Sequence, residues 1–246
     1  MSSSVLRREL RRSVEAVGGA AREVLAEPGL EAAARVIRRS YAGRSIVCLG
    51  DSITADRQSW AEIMSVILGP DVTVINAGRS GDTSADMIAR FHLSVRAHRP
   101  AVVIIMAGTN DARRYTSDLH ASNGYGSLII DDDGSDANFQ ELERLALSIS
   151  GAAVVWIVPP PIDDPRVATH PAGRLAHARW TDDEVKRKGD LVTRRFRRVA
   201  DARAEFDRRG VATDLLMEDG LHPNLAGQKA ITIVALKQLT RTANPD

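Results

Sequence analysis

The spacing of apolar positions along the chain changes near Tyr41. Before it, Val5, Leu6, Leu10, Val14 and Val17 recur at helical intervals, and Val24, Leu25, Val36 and Ile37 follow, the periodicity of amphipathic helices. Gly18-Gly19 and Pro28-Gly29 interrupt that pattern, so residues 1–40 are expected to form two or three helices as an N-terminal extension. Beyond Tyr41, short apolar runs occupy 46–49, 72–75, Val102–Met106 and Ala153–Val158, with a weaker one near Val211. The intervening stretches Trp60–Leu68 and 139–149 have helical periodicity. Alternating strands and helices predict a parallel sheet covered on both faces. Right-handed crossovers then make residues 41–246 a three-layer α/β/α sandwich. Two connections, 112–137 and 159–181, are longer than ordinary loops and follow the carboxyl ends of predicted strands. Ligands of open α/β sheets bind at that edge.

Composition narrows the class without naming a chemistry. A chain of 246 residues, 43% hydrophobic and 26% charged, suits one globular α/β domain with an extension. Its net charge of +1 gives no global field for nucleic acid or an anionic membrane. Cys48 is the one cysteine and sits inside an apolar run, so it reads as a buried small hydrophobe. Residues 1–40 hold no continuous apolar segment of signal-peptide length. No stretch approaches the roughly 18 residues of a membrane span. The expectation is a cytoplasmic protein. Over the same 40 residues basic side chains outnumber acidic ones eight to five, a solvated helical surface that also offers a contact for a homo-oligomer.

Four segments deliver polar groups to the carboxyl edge of the predicted sheet. They are Gly50-Asp51-Ser52-Ile53, Asn76-Ala77-Gly78-Arg79-Ser80-Gly81, Gly108-Thr109-Asn110-Asp111 and Asp219-Gly220-Leu221-His222-Pro223-Asn224. Each alone also reads as turn or cap chemistry. Together they supply a hydrolytic site. Ser52 is placed to attack an acyl carbonyl, with His222 as general base. Asp219, three residues before His222, is placed to orient the imidazole. The N–H groups of Ser52 and Gly78 and the Asn110 side-chain amide are candidate oxyanion donors.

These segments resemble those of the SGNH hydrolases, also called GDSL-type esterases and lipases, over roughly residues 44–241. Gly50-Asp51-Ser52-Ile53 is similar to the family's first block, with Ile53 in place of its leucine; Ala55 stands where many members have glycine. Gly227 fits the usual continuation of the last block. The resemblance implies a flavodoxin-like five-stranded parallel sheet in the order 2-1-3-4-5. It also implies a Ser52–His222–Asp219 triad, an oxyanion hole of Ser52, Gly78 and Asn110, and no cofactor. The expected activity is hydrolysis of small-molecule carboxylic esters, short-chain or acetyl, through an acyl-enzyme. Thioester hydrolysis, acyl transfer and O-deacetylation of a sugar or natural product are the alternatives, and a non-catalytic binding module is the remotest.

Other candidates are weaker. His92, His98, His120, His170 and His177 form no close pair with metal-ligand spacing. Asp131-Asp132-Asp133-Gly134 has its glycine at the wrong position for a calcium loop and reads as a solvated turn. The ten basic residues within 186–209 read as a solvated helix face.

Overall fold

A computed structural model describes residues 3–115, 128–171, 178–210 and 212–243. Two helices come first, α1 (Ser3–Ala26) and α2 (Leu30–Ser40). Gly18-Gly19 does not interrupt α1. Two helix-interior glycines cost about 2 kcal/mol together, and the burial of Val17 and Val24, at about 1.5–3 kcal/mol per apolar side chain, offsets it. Pro28-Gly29 does end the first helix: Gly29 adopts φ 82° ahead of α2. In α2 the buried Leu30, Ala33, Ala34 and Ile37 repeat at helical spacing, while Glu31 opens the helix and Arg38 and Arg39 close it, as the helix dipole favours.

The sheet contains β1 (Ser45–Gly50), β2 (Thr73–Gly78), β3 (Val102–Met106), β5 (Ala153–Val158) and β7 (Val199–Asp201). They pair in parallel in the order β2-β1-β3-β5-β7, the expected 2-1-3-4-5 arrangement. β1 is flanked on both sides, with Gly50 opposite Gly78 and Met106. Strands buried on both faces read as continuous apolar runs, which is why β1, β3 and β5 stand out in the sequence.

Alternate residues feed two cores. Ile46, Cys48, Ile104 and Ile157 face α1, α2, α4 (Trp60–Leu68), α9 (Ala202–Arg209) and the final helix, α10 (Leu225–Ala243). Val47, Leu49, Ile105 and Trp156 face α5 (Ser84–Ser94), α6 (Asp132–Leu147) and α8 (Asp182–Arg195). Cys48 is fully buried and unpaired, and burial pushes its thiol well above the ordinary range.

Three local expectations change. The fifth strand is Val199–Asp201 rather than the run near Val211; Val211 itself lies outside the described residues, and Ala212–Leu215 after it forms a 3₁₀ helix. Asp131 is not a free turn residue: its carboxylate accepts from the Gly134 N–H, and Asp132 and Asp133 form the first turn of α6. The two long connections are also joined to each other, because β4 (Arg114–Tyr115) pairs antiparallel with β6 (Ala178–Arg179). A short helix, α7 (Asp164–Thr169), occupies part of the second connection. His120 and His177 lie outside the described residues.

Candidate active site

β1 ends at Gly50, and Asp51 caps the one-turn helix α3 (Ser52–Ala55) by accepting from the Ile53 N–H at 3.0 Å. Gly50 permits the turn, since a Cβ there would lie 2.1 Å from Thr54 Oγ1. Ser52 is therefore the first helical residue, where the backbone N–H has no intrahelical acceptor. No described group accepts from that N–H. Burial is the main reason that the Asp51 carboxyl rises to about 6; the Ile53 N–H and His222 act in the opposite direction.

The strand-free segment before α10 presents the histidine. Gly220, at φ 71°, lies against Asp163 and Arg166, where a Cβ would come within 2.5 Å of the Arg166 Cβ. Asp219 Oδ1 accepts from the N–H groups of Leu221 (2.9 Å) and His222 (3.0 Å). Its Oδ2 lies 2.5 Å from His222 Nδ1. With Nδ1–H donating there, Nε2 carries the lone pair, and Nε2 lies 2.9 Å from Ser52 Oγ. The turn is tied down on its far side by Asn224, whose amide donates to the carbonyls of Asp214 and Leu216 while its oxygen caps Ala226.

Charge states follow from this packing. Burial works to raise the Asp219 carboxyl, but the His222 ring and the two backbone N–H groups outweigh it and hold the group at about 2. Burial works to lower His222, yet Asp219 raises it above its ordinary 6.5, helped by Asp51 and Asp56.

The groups expected to receive a tetrahedral oxyanion stand in different hydrogen-bonding states. The Gly78 N–H donates to Asn76 Oδ1 at 3.0 Å. Asn76 is itself held by Glu62, at 2.9 Å, and Ser59. A Cβ on Gly78 would stand 2.3 Å from the Ala55 nitrogen. Gly78 is thus required for the close approach of β2 to α3, and its N–H, expected as an oxyanion donor, is engaged by Asn76 in this structure. Three residues on, Gly81 is exposed at φ 84°, and no described group accepts from its N–H. Asn110 is buried and donates through Nδ2 to the carbonyl of Asp82 at 3.1 Å, which places its amide beside this loop and leaves a second N–H. Asp111 fixes the same edge by accepting from the Ser84 N–H (2.7 Å), Ser84 Oγ (2.6 Å) and Ser135 Oγ (2.9 Å).

The two glycines predict different responses to alanine. Gly78→Ala drives a methyl into backbone and should cost about 3 kcal/mol, the upper range for overpacking. Gly81→Ala meets open space and should cost about 1 kcal/mol of left-handed strain. Chemical denaturation of both variants checks the ranking, and equal losses would contradict the packing described.

Among the described residues, no group of three or more His, Cys, Asp or Glu could hold a metal ion. No described helix is long and apolar enough to cross a membrane.

Known proteins resemble this chain in sequence and in fold. An arylesterase of Vibrio mimicus is 39% identical over 83 residues, covering 30% of this chain and 42% of the relative. Esterase TesA of Pseudomonas aeruginosa is 34% identical over 87 residues, covering 32% and 43%. The chain thus matches less than half the length of these curated relatives. Among solved structures, a lipase/acylhydrolase from Enterococcus faecalis superposes with a TM-score of 0.59 at 24% identity, covering 82% of this chain and 98% of that one. Axe2, an acetylxylan esterase from Geobacillus stearothermophilus, superposes with a TM-score of 0.57 at 20% identity, covering 80% and 94%. At these identities the superpositions show the fold alone. A family model, that of the GDSL-like Lipase/Acylhydrolase family, matches residues 48–230, a span that holds all four polar segments. The chain belongs to the GDSL-like lipase/acylhydrolase family.

Proposed function

We propose that the protein is a carboxylic ester hydrolase acting on small-molecule, short-chain acyl or acetyl esters through an acyl-enzyme on Ser52. The observation that carries this reading is the continuous chain from Ser52 Oγ through His222 to Asp219, with links of 2.9 and 2.5 Å. Ser52 Oγ bonds to the acyl carbon as its proton passes to His222 Nε2 and the carbonyl electrons move onto oxygen. The Ser52 N–H, the Gly81 N–H and the second N–H of Asn110 receive that oxyanion. Collapse expels the alcohol oxygen, which takes the proton from His222. Water then attacks the acyl-enzyme with His222 again as base, and the acid leaves. Asp219 keeps the proton on Nδ1 and stabilises the imidazolium.

A fluorophosphonate probe tests the reading directly. It should label the intact protein at Ser52, and the labelled protein should no longer hydrolyse an aryl acetate. Absence of both labelling and turnover would refute the proposal and leave a binding module.

The pH profile supplies a second test. General-base action requires neutral His222, and Asp219 raises its pKa above 6.5. Activity therefore falls as pH drops through that value, and the midpoint of kcat/KM on the acid side should lie above 6.5. Asp219→Asn should move the midpoint down and lower kcat, by about 10⁴-fold where the wrong tautomer results. A midpoint unchanged by that substitution would remove Asp219 from the orienting role.

A further inference from the structure

We propose that Arg90, on α5, is the positioning residue that sets the spacing of the oxyanion donors. The inference rests on the assignment of those donors above. The Arg90 side chain is 14% exposed, and its guanidinium spans three chain segments. Its Nε pairs with the Asp82 carboxylate, Nη1 donates to the Ala77 carbonyl at 2.8 Å, and Nη2 donates to the Gly50 carbonyl at 3.0 Å.

Each acceptor leads to a different donor of the hole. The Gly50 carbonyl lies two residues before Ser52. The Ala77 carbonyl and the Asp82 carboxylate bracket Gly81. Asp82 also offers its backbone carbonyl to the Asn110 amide. One planar cation thus links the nucleophile turn, the Gly81 loop and, through Asp82, the loop from β3. The Arg79 N–H also donates to the Gly50 carbonyl, at 3.0 Å, so the two strand ends are held together by main chain as well. That contact alone does not reach Asp82.

The helix that carries Arg90 is fixed at its start. Thr83 and Asp86 form a reciprocal capping box, and Ser84 is held by Asp111. Arg90 therefore projects from a rigid support, and its fork has donors in the fixed directions that three separate acceptors need. A lysine carries its three donors on one nitrogen and lacks the spread of the guanidinium fork that reaches these separate acceptors. No described hydrogen bond or ion pair joins Arg90 to Ser52, His222 or Asp219, so its effect passes through the positions of other groups.

The test uses the full chain with Arg90→Lys, Arg90→Ala, Asn110→Ala and the Arg90→Lys/Asn110→Ala double variant. Turnover of an aryl acetate is normalised to sites titrated by a fluorophosphonate. Misplacement of catalytic groups by about 1 Å is worth about 10²-fold. Arg90→Ala should lower kcat by about that factor with KM changed less than about threefold. Arg90→Lys should fall between it and the wild type, and it carries the test where the alanine variant does not fold. The acid-side pH midpoint should stay where it is. In the double variant the two losses should combine to clearly less than their product, as for residues acting through one unit.

Arg90→Lys with wild-type kcat per titrated site, or losses that multiply fully in the double variant, would overturn the positioning role. Asn110→Ala separates the two readings. A loss of about 10²–10³-fold there with an unaffected Arg90→Lys rejects this inference alone. An unaffected Asn110→Ala rejects the donor assignment, and this inference with it.

Discussion

Ser52→Ala should lower kcat for an aryl acetate by about 10⁶-fold, the loss seen when a triad serine hydrolase is stripped of its nucleophile. The hydroxyl makes one described hydrogen bond, to His222 Nε2 at 2.9 Å. The turn around it is held by other groups: Asp51 caps α3, Gly50 makes room for Thr54, and Gly78 packs against Ala55. Alanine is a good first helical residue, so the fold should survive. The melting temperature should move by no more than about 4 °C, which corresponds to a change of at most about 1 kcal/mol in a chain of this size. Fluorophosphonate labelling should vanish together with turnover. Residual activity well above that level, in protein purified free of host esterases, would mean that another group carries the reaction. Loss of activity with a collapsed melting temperature would show that the serine is needed for the turn itself.

The parts of this site legible in the sequence are those set by local rules. A serine after a buried strand, and an aspartate three residues before a histidine, are visible in order and spacing. Central strands are equally visible, because burial of both faces leaves β1, β3 and β5 almost wholly apolar. β7 is a different case. It lies at the sheet edge, has three residues, pairs with β5 alone and follows Arg197 and Arg198. Charged side chains on an exposed edge are ordinary, so they hide the strand from a reading that looks for apolar runs. The start of α6 is obscured in the sequence for a related reason. Three consecutive aspartates look like a solvated turn until Asp131 is seen to accept from Gly134 and to leave the other two on the first helical turn.

Gly78 and Arg90 mark the deeper limit. Both Gly78 and Gly81 stand in one segment, and nothing in their spacing says which N–H is committed. That depends on the side chain of Asn76, whose own direction is fixed by Glu62 on α4 and by Ser59, which caps that helix. Arg90 gives no signal at all, because its three acceptors are backbone carbonyls and a carboxylate brought together by the parallel pairing of β1 with β2. Side-chain identity is local, whereas the hydrogen-bond partners of a buried group are a property of the assembled sheet edge.

His222→Ala should be nearly as damaging to kcat as Ser52→Ala, at about 10⁶-fold, and the double variant should be no worse than either single one. Without the imidazole nothing takes the serine proton, so removal of the hydroxyl as well has nothing further to abolish. Multiplying losses would show that the two side chains act independently, against the 2.9 Å contact between them. The same substitution has a separate signature in stability. Asp219 sits at about 2, below its ordinary 3.8, so its contribution is present above 3.8 and lost as pH falls towards 2. His222 is raised above 6.5, so its contribution is present below 6.5 and lost as pH rises through the folded value. The pair therefore stabilises the fold most between pH 3.8 and 6.5. Denaturant unfolding should show the largest deficit of His222→Ala inside that window and a smaller one at pH 9. The backbone N–H groups of Leu221 and residue 222 still hold Asp219 in the alanine variant, so part of its low pKa persists. A deficit independent of pH would mean that His222 contributes packing alone, and that its charge is not shared with Asp219 in the folded protein.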